Sequence, residues 1–153
     1  MAETTESPRL YIPALAPLYD GLADHALVLI RIVLGVSFIP SGWVKLFTPN
    51  GIANTAKLLA TMGLEPAVPL AYWLGTLEFF GGILLVIGLF TRPVAFMFFI
   101  EMAVATFVVH LPKGFFAGQG GVQLVELLSL TALAFAIRGG GRFSVDRVIG
   151  KEF

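Results

Sequence analysis

The stretch ALVLIRIVLGVSFIPSGWVKLF, residues 26–47, decides how this chain is read. It is long and apolar enough to cross a bilayer as a helix, for which about 20 such residues suffice. Yet it also contains Arg31 and Lys45, which lipid should reject. An ionised side chain at the bilayer centre costs roughly 2.5–3.5 kcal/mol on insertion scales. Three further apolar runs repeat the pattern: 69–90 carries Glu78, 94–111 carries Glu101 and His110, and 122–138 carries Glu126. A chain with this many intramembrane ionisable groups either pairs them inside a helix bundle or uses them.

Composition agrees with a membrane protein. The chain has 153 residues, of which 57% are hydrophobic and only 13% charged, where soluble domains hold about 25% charged residues. The mean hydropathy is +0.87. Net charge is zero, so there is no basic footprint for nucleic acid. Cysteine is absent, which excludes disulfides, thiolate metal sites, cysteine nucleophiles and cysteine-ligated iron–sulfur clusters. No metal site is expected. The fold class that follows is all-α, a four-helix integral membrane bundle with spans near 26–47, 69–90, 94–111 and 122–138.

Residues 1–24 hold Pro8, Pro13, Pro17 and five charges, and read as a flexible or interfacial tail before a domain covering 25–153. Tyr11 and Tyr19 suit the headgroup level. The tail is acidic and lacks a small-residue cleavage pattern, so no cleaved signal peptide is expected. Thr48-Pro49-Asn50-Gly51 forms a turn leading into Ile52 to Met62, an amphipathic stretch read as an interfacial or re-entrant helix. With four spans both termini share a side. That side carries Arg9, Arg92, Arg138, Arg142, Arg147 and Lys151, against Lys57, Lys113 and the helix-end Lys45 opposite. Positive residues favour the cytoplasm, so both termini are expected inside, in the inner (plasma) membrane.

On a helical wheel, Gly35, Phe38, Gly42 and Lys45 fall within about 40° of Arg31. Glycines on that stripe admit a close neighbouring helix, so the stripe faces protein. Arg31 is too deep to snorkel easily and is expected to find a carboxylate, Glu78 or Glu101 or both, in a structural ion-pair network. Lys45 either snorkels to the outer interface or joins a site. His110 lies half a helical revolution from Glu101, so helix three offers polar groups to two neighbours. Gln119, Gln123 and Glu126 open helix four on one face. Lys45, His110, Gln123 and Glu126 are therefore expected to form an outer-half polar pocket. His110 and Glu126 would handle protons, and Lys45, Gln123 and Trp43 would hold a quinone headgroup.

The motifs together resemble the DoxX family of small membrane proteins. The resemblance rests on Arg31 with Gly35, then Ser41-Gly42-Trp43-Val44-Lys45, Glu78-Phe79-Phe80-Gly81-Gly82, Gly88, Thr91-Arg92 and Glu101-Met102-Ala103. It continues through His110-Leu111-Pro112-Lys113-Gly114-Phe115-Phe116, Glu126, and Gly139-Gly140-Gly141-Arg142-Phe143-Ser144-Val145-Asp146. It spans roughly residues 26–147 in order and spacing. It implies a four-helix membrane bundle, with some relatives serving as subunits of thiosulfate:quinone oxidoreductase. One relative belongs to a membrane-associated oxidoreductase complex linked to redox stress. It also marks Arg31, Lys45, Glu78, Glu101, His110 and Glu126 as motif positions. Nothing in this sequence identifies thiosulfate, and no nucleotide fingerprint follows a strand. No cofactor is evident beyond a candidate quinone.

The reading that results is a membrane subunit of a quinone-linked oxidoreductase complex, receiving electrons from a partner redox protein. The lipid bilayer is its other partner, and its small-residue stripes also suit a homo-oligomer. The alternatives are a non-catalytic accessory subunit and a small proton-coupled transporter.

Overall fold

A computed structural model describes residues 10–151. Among these residues there are helices and connecting turns and no strands. Helix α1 runs Ala16–Phe47, α2 Gly51–Thr61 and α3 Ala67–Thr76. A π-helical turn, Leu77–Gly81, joins α3 to α4, Gly82–Ile87. Helix α5, Thr91–Val104, continues through a second π turn, Ala105–His110, and a 3-10 turn, Leu111–Lys113. Helix α6 is Gln123–Arg138 and the short α7 is Val145–Ile149.

Among the described residues, three continuous helical stretches are long and apolar enough to cross a membrane: Pro13–Phe47, Ala67–Ile87 and Thr91–Lys113. The fourth expected span corresponds to α6, whose 16 residues reach only about 24 Å at 1.5 Å per residue. Helix α1 starts well before the expected residue 26. Pro17 suits a first turn, so the helix can start there. The tail expected over 1–24 is thus helical from Ala16, and its residues 1–9 lie outside the described residues. The expected amphipathic stretch after Asn50 is helix α2, packed on α3 through Ala56, Leu59, Ala67 and Ala71.

Helix α1 lies antiparallel to the α3–α4 rod, and glycines set the approach. A Cβ on Gly35 would stand 2.6 Å from the Gly82 carbonyl oxygen, and one on Gly42 would strike the Phe79 backbone. As α1 positions rise from 35 to 42 to 46, their partners fall from 82 to 79 to 75. Helices α5 and α6 pack against this pair. Leu34, Phe38, Leu85, Phe98, Ala132 and Phe135 fill the centre, with the Phe38 and Phe98 rings stacked at 3.9 Å. Around this core the surface is apolar: Leu29, Val33, Phe107, Leu127 and Ile137 are all exposed, as a lipid-facing surface requires.

Helix α4 ends at Gly88, whose φ of +74° is one that residues with a Cβ rarely adopt. The Leu89 amide donates back to the Leu84 carbonyl at 2.9 Å, closing the helix end. Helix α5 begins directly afterwards with Pro93 in its first turn.

Candidate functional site

The polar residues buried among the helices form two groups at different depths. The first surrounds Arg31, which is 2% exposed. Its guanidinium donates to the carbonyls of Gly140 and Phe143, the latter at 2.9 Å, with Val86 O at 3.4 Å. Its Cζ also rests against Gly88. The glycine-rich segment after α6 therefore folds across the helix ends and is held there by Arg31. Asp146 completes the arrangement. Its two carboxylate oxygens accept from the amides of Phe90 at 2.8 Å and Thr91 at 2.9 Å. A carboxylate on the first amides of α5 satisfies orphan donors and complements the helix dipole. The Asp146 amide in turn donates to Gly88 O at 3.0 Å. Ser144 caps α7 by accepting from the Arg147 amide at 3.2 Å.

This corrects the partner expected for Arg31. Its hydrogen bonds go to backbone carbonyls, and neither Glu78 nor Glu101 receives one. The reason is depth. Antiparallel packing sets Arg31 level with Gly88, whereas Glu78 lies level with Gly42. Arg31 and Lys45 are 14 residues apart on α1, or about 21 Å.

The second group is built on Lys45. Its Nζ lies 2.5 Å from Glu78 Oε2 and donates to Ser41 Oγ at 2.7 Å. The Lys45 side chain is 20% exposed and that of Glu78 only 7%. Ser41 stands one helical turn before Lys45, so α1 itself orients the ammonium. Glu78 occupies the π turn, whose extra residue per turn displaces side chains from their regular helical positions. Glu101, from α5, places its carboxyl within hydrogen-bonding reach of that of Glu78. Its Oε2 is buried and takes no bond from a protein donor among the described residues. Lys45, Glu78 and Glu101 thus bring two carboxyls to one ammonium. Beside it, Phe79 of the π turn meets Trp43 and Phe47 of α1, at 5.8 Å and 5.1 Å, and stands edge-on to Phe80.

The other expected site residues stand apart from this set. His110 Nδ1 is 2.6 Å from the Gly120 carbonyl and fastens the loop between α5 and α6. Gln123 Oε1 accepts from the Ala117 amide at 3.2 Å in the same loop. Glu126 is exposed on the first turn of α6. The expected pocket of Lys45, His110, Gln123 and Glu126 is therefore divided: Lys45 turns to Glu78, while His110 and Gln123 brace a loop. Ser41 and Asp146 were absent from the expected site. Ser41 was legible from its four-residue spacing to Lys45, and Asp146 was an acid in the glycine-rich motif without an assigned partner.

A family model described as DoxX matches residues 26–111. The chain belongs to the DoxX family. A protein of Haemophilus influenzae named "Uncharacterized protein" is 37% identical over 133 residues, covering 84% of this chain and 93% of its own. "Inner membrane protein YqjF" of Escherichia coli is 29% identical over 135 residues, covering 86% of this chain and 98% of its own. "Putative oxidoreductase CatD" of Bacillus subtilis is 29% identical over 124 residues, covering 81% of this chain and 87% of its own. No solved structure matches. The DoxX match covers both π-turn helices, Lys45, Glu78 and Glu101, and stops before the loop carrying Asp146.

Proposed function

We propose that this DoxX-family protein is an inner-membrane subunit of a quinone-linked oxidoreductase, with both termini cytoplasmic, and that Lys45, Glu78 and Glu101 exchange the quinone's protons. The observation that carries this reading is a carboxyl pair beside one ammonium, next to an aromatic wall that opens to lipid. Quinone reduction takes up two electrons and two protons. The electrons come from a partner redox protein. Trp43 and Phe79 provide the apolar face for the quinone ring, Lys45 hydrogen-bonds a carbonyl oxygen, and Glu101 passes the two protons to the reduced quinone one after the other, each replaced from the aqueous side. The proton role expected of His110 and Glu126 moves to this set, since His110 is engaged by Gly120 O. The name of the Bacillus subtilis relative supports redox chemistry, and that of the Escherichia coli relative supports the inner membrane.

The test uses Trp43 as its reporter in the Trp73→Phe protein, purified in detergent. Decylubiquinone should quench Trp43 fluorescence saturably, and Glu101→Gln should weaken this at least tenfold with helical content unchanged. A folded protein whose fluorescence shows no saturable quenching refutes the reading. So does unchanged affinity in both Glu101→Gln and Lys45→Met. The accessory reading is favoured by one specific observation, that every Arg31 hydrogen bond goes to backbone and serves only to hold the chain together. It predicts that the swap Lys45→Glu with Glu78→Lys leaves the parent complex fully active.

A further inference from the structure

We infer that the α1–α6 face binds one anionic glycerophospholipid, with its phosphate among Arg138, Arg142 and Arg147 and an acyl chain in the groove above them. The inference is independent of the quinone reading.

Two cavities meet at a single residue. One, of about 460 Å³, is lined by Asp24, Arg138, Gly141, Arg142 and Arg147. The other, of about 330 Å³, runs between α1 and α6 and is lined by Leu27, Ile30, Leu130, Ala134 and Phe135, with Thr131 and again Arg138. Arg138 thus stands where a cationic pocket passes into an apolar groove. A molecule that satisfies both must be amphipathic, with an anionic head.

The dimensions agree with a lipid. From Arg138 to Leu130 the groove follows eight residues of α6, about 12 Å at 1.5 Å per residue. One leaflet contributes about 15 Å of the roughly 30 Å hydrocarbon core. The groove is therefore most of a leaflet deep, and an acyl chain laid in it brings its phosphate to Arg138. Three guanidiniums against the single Asp24 leave two positive charges in the pocket. Arg142 approaches Asp24 only loosely, at 3.8 Å, and its side chain is 75% exposed, so its fork stays available to phosphate oxygens. The pocket wall includes Gly141 of the loop that Arg31 holds in place, so the head site is built by the fold and exceeds the general preference of basic residues for the cytoplasmic side.

Native mass spectrometry of the purified protein with phosphatidylglycerol, phosphatidylcholine or inorganic phosphate tests this. The expected result is one retained phosphatidylglycerol, at least tenfold preferred over phosphatidylcholine. Arg142→Gln, at an exposed position, should lower that preference about threefold, and Arg138→Gln with Arg147→Gln should abolish it. Ala134→Trp, which fills the groove, should cut phosphatidylglycerol retention at least fivefold. Equal retention of the two lipids overturns the proposal. Phosphatidylglycerol retention unchanged in Ala134→Trp overturns it too, because it leaves a headgroup site without a chain site. If inorganic phosphate displaces the lipid at equal concentration, the site is for free anions and the proposal fails.

Discussion

Replacing Arg31 by Gln should untie the segment after α6 while leaving the helices packed. The guanidinium makes two good hydrogen bonds to carbonyls, Gly140 O and Phe143 O, and a long one to Val86 O. A hydrogen bond to a charged group is worth about 1.5–3 kcal/mol net. Arg31 Nε is buried and bonds nothing, which favours the lower end of that range. Two bonds at about 1.5 kcal/mol give a loss of about 3 kcal/mol. For a chain of this size each kcal/mol moves the midpoint by about 2–4 °C, so Tm should fall by roughly 6–12 °C. Circular dichroism of the detergent-solubilised protein reads the shift, and trypsin cleavage after Arg142 should accelerate in parallel. Arg31→Lys should recover little, because an ammonium cannot bridge two carbonyls as a planar fork does. Arg31→Glu combined with Glu78→Arg should rescue nothing, since the two positions lie at different depths. A Tm within roughly 2 °C of the parent for Arg31→Gln, less than 1 kcal/mol on the same scale, together with unchanged cleavage, would refute the reasoning.

Lys45→Met should cost about 3 kcal/mol by leaving Glu78 buried beside a second carboxyl, and adding Glu78→Gln should restore most of it; chemical unfolding of the single and double variants measures the difference. Gly42→Ala should cost about 1–3 kcal/mol, because its methyl meets the Phe79 backbone, while Gly21→Ala, with open space around it, should be neutral or slightly stabilising. Comparing the two Tm values separates close approach from helix propensity. Asp146→Asn should cost about 1–2 kcal/mol, since the amide keeps one acceptor where the carboxylate used two and loses its charge at the start of α5. Hydrogen exchange should quicken at the Phe90 and Thr91 amides.

Much of the fold was legible because lipid leaves few options. Apolar length together with Pro and Gly punctuation located α1, the α3–α4 rod and α5 to within a few residues, apart from the start of α1. Residues 16–25 look like a polar tail by charge count, yet Pro17 suits a helical first turn. The π turns were not legible. The apolar pattern of Leu77–Gly81 and Ala105–His110 carries no mark of the extra residue per turn that the structure has at both.

The site was half legible, and depth explains which half. Each candidate was found as an ionisable residue in an apolar run, and the wheel correctly set Arg31 and Lys45 on a protein-facing stripe. A wheel reports angle and carries no height. Adding 1.5 Å per residue and the antiparallel sense of adjacent spans places Arg31 near the end of the second span, and Glu78 near Gly42 and Lys45. That step alone removes Arg31 from the carboxylates and assigns it to whatever polar backbone crosses the helix ends, which here is the Gly139–Asp146 segment. The motif order then acquires a physical sense. Arg31, Gly88, Thr91 and Asp146 are far apart in sequence and lie at one level, where they fasten the chain after α6 to the helix ends. Lys45, Glu78 and Glu101 lie about 21 Å away along α1. At the first level the charged groups, the Arg31 guanidinium and the Asp146 carboxylate, turn to backbone. The second holds two carboxyls for one ammonium, and it is on that surplus acid that the proposed proton exchange rests.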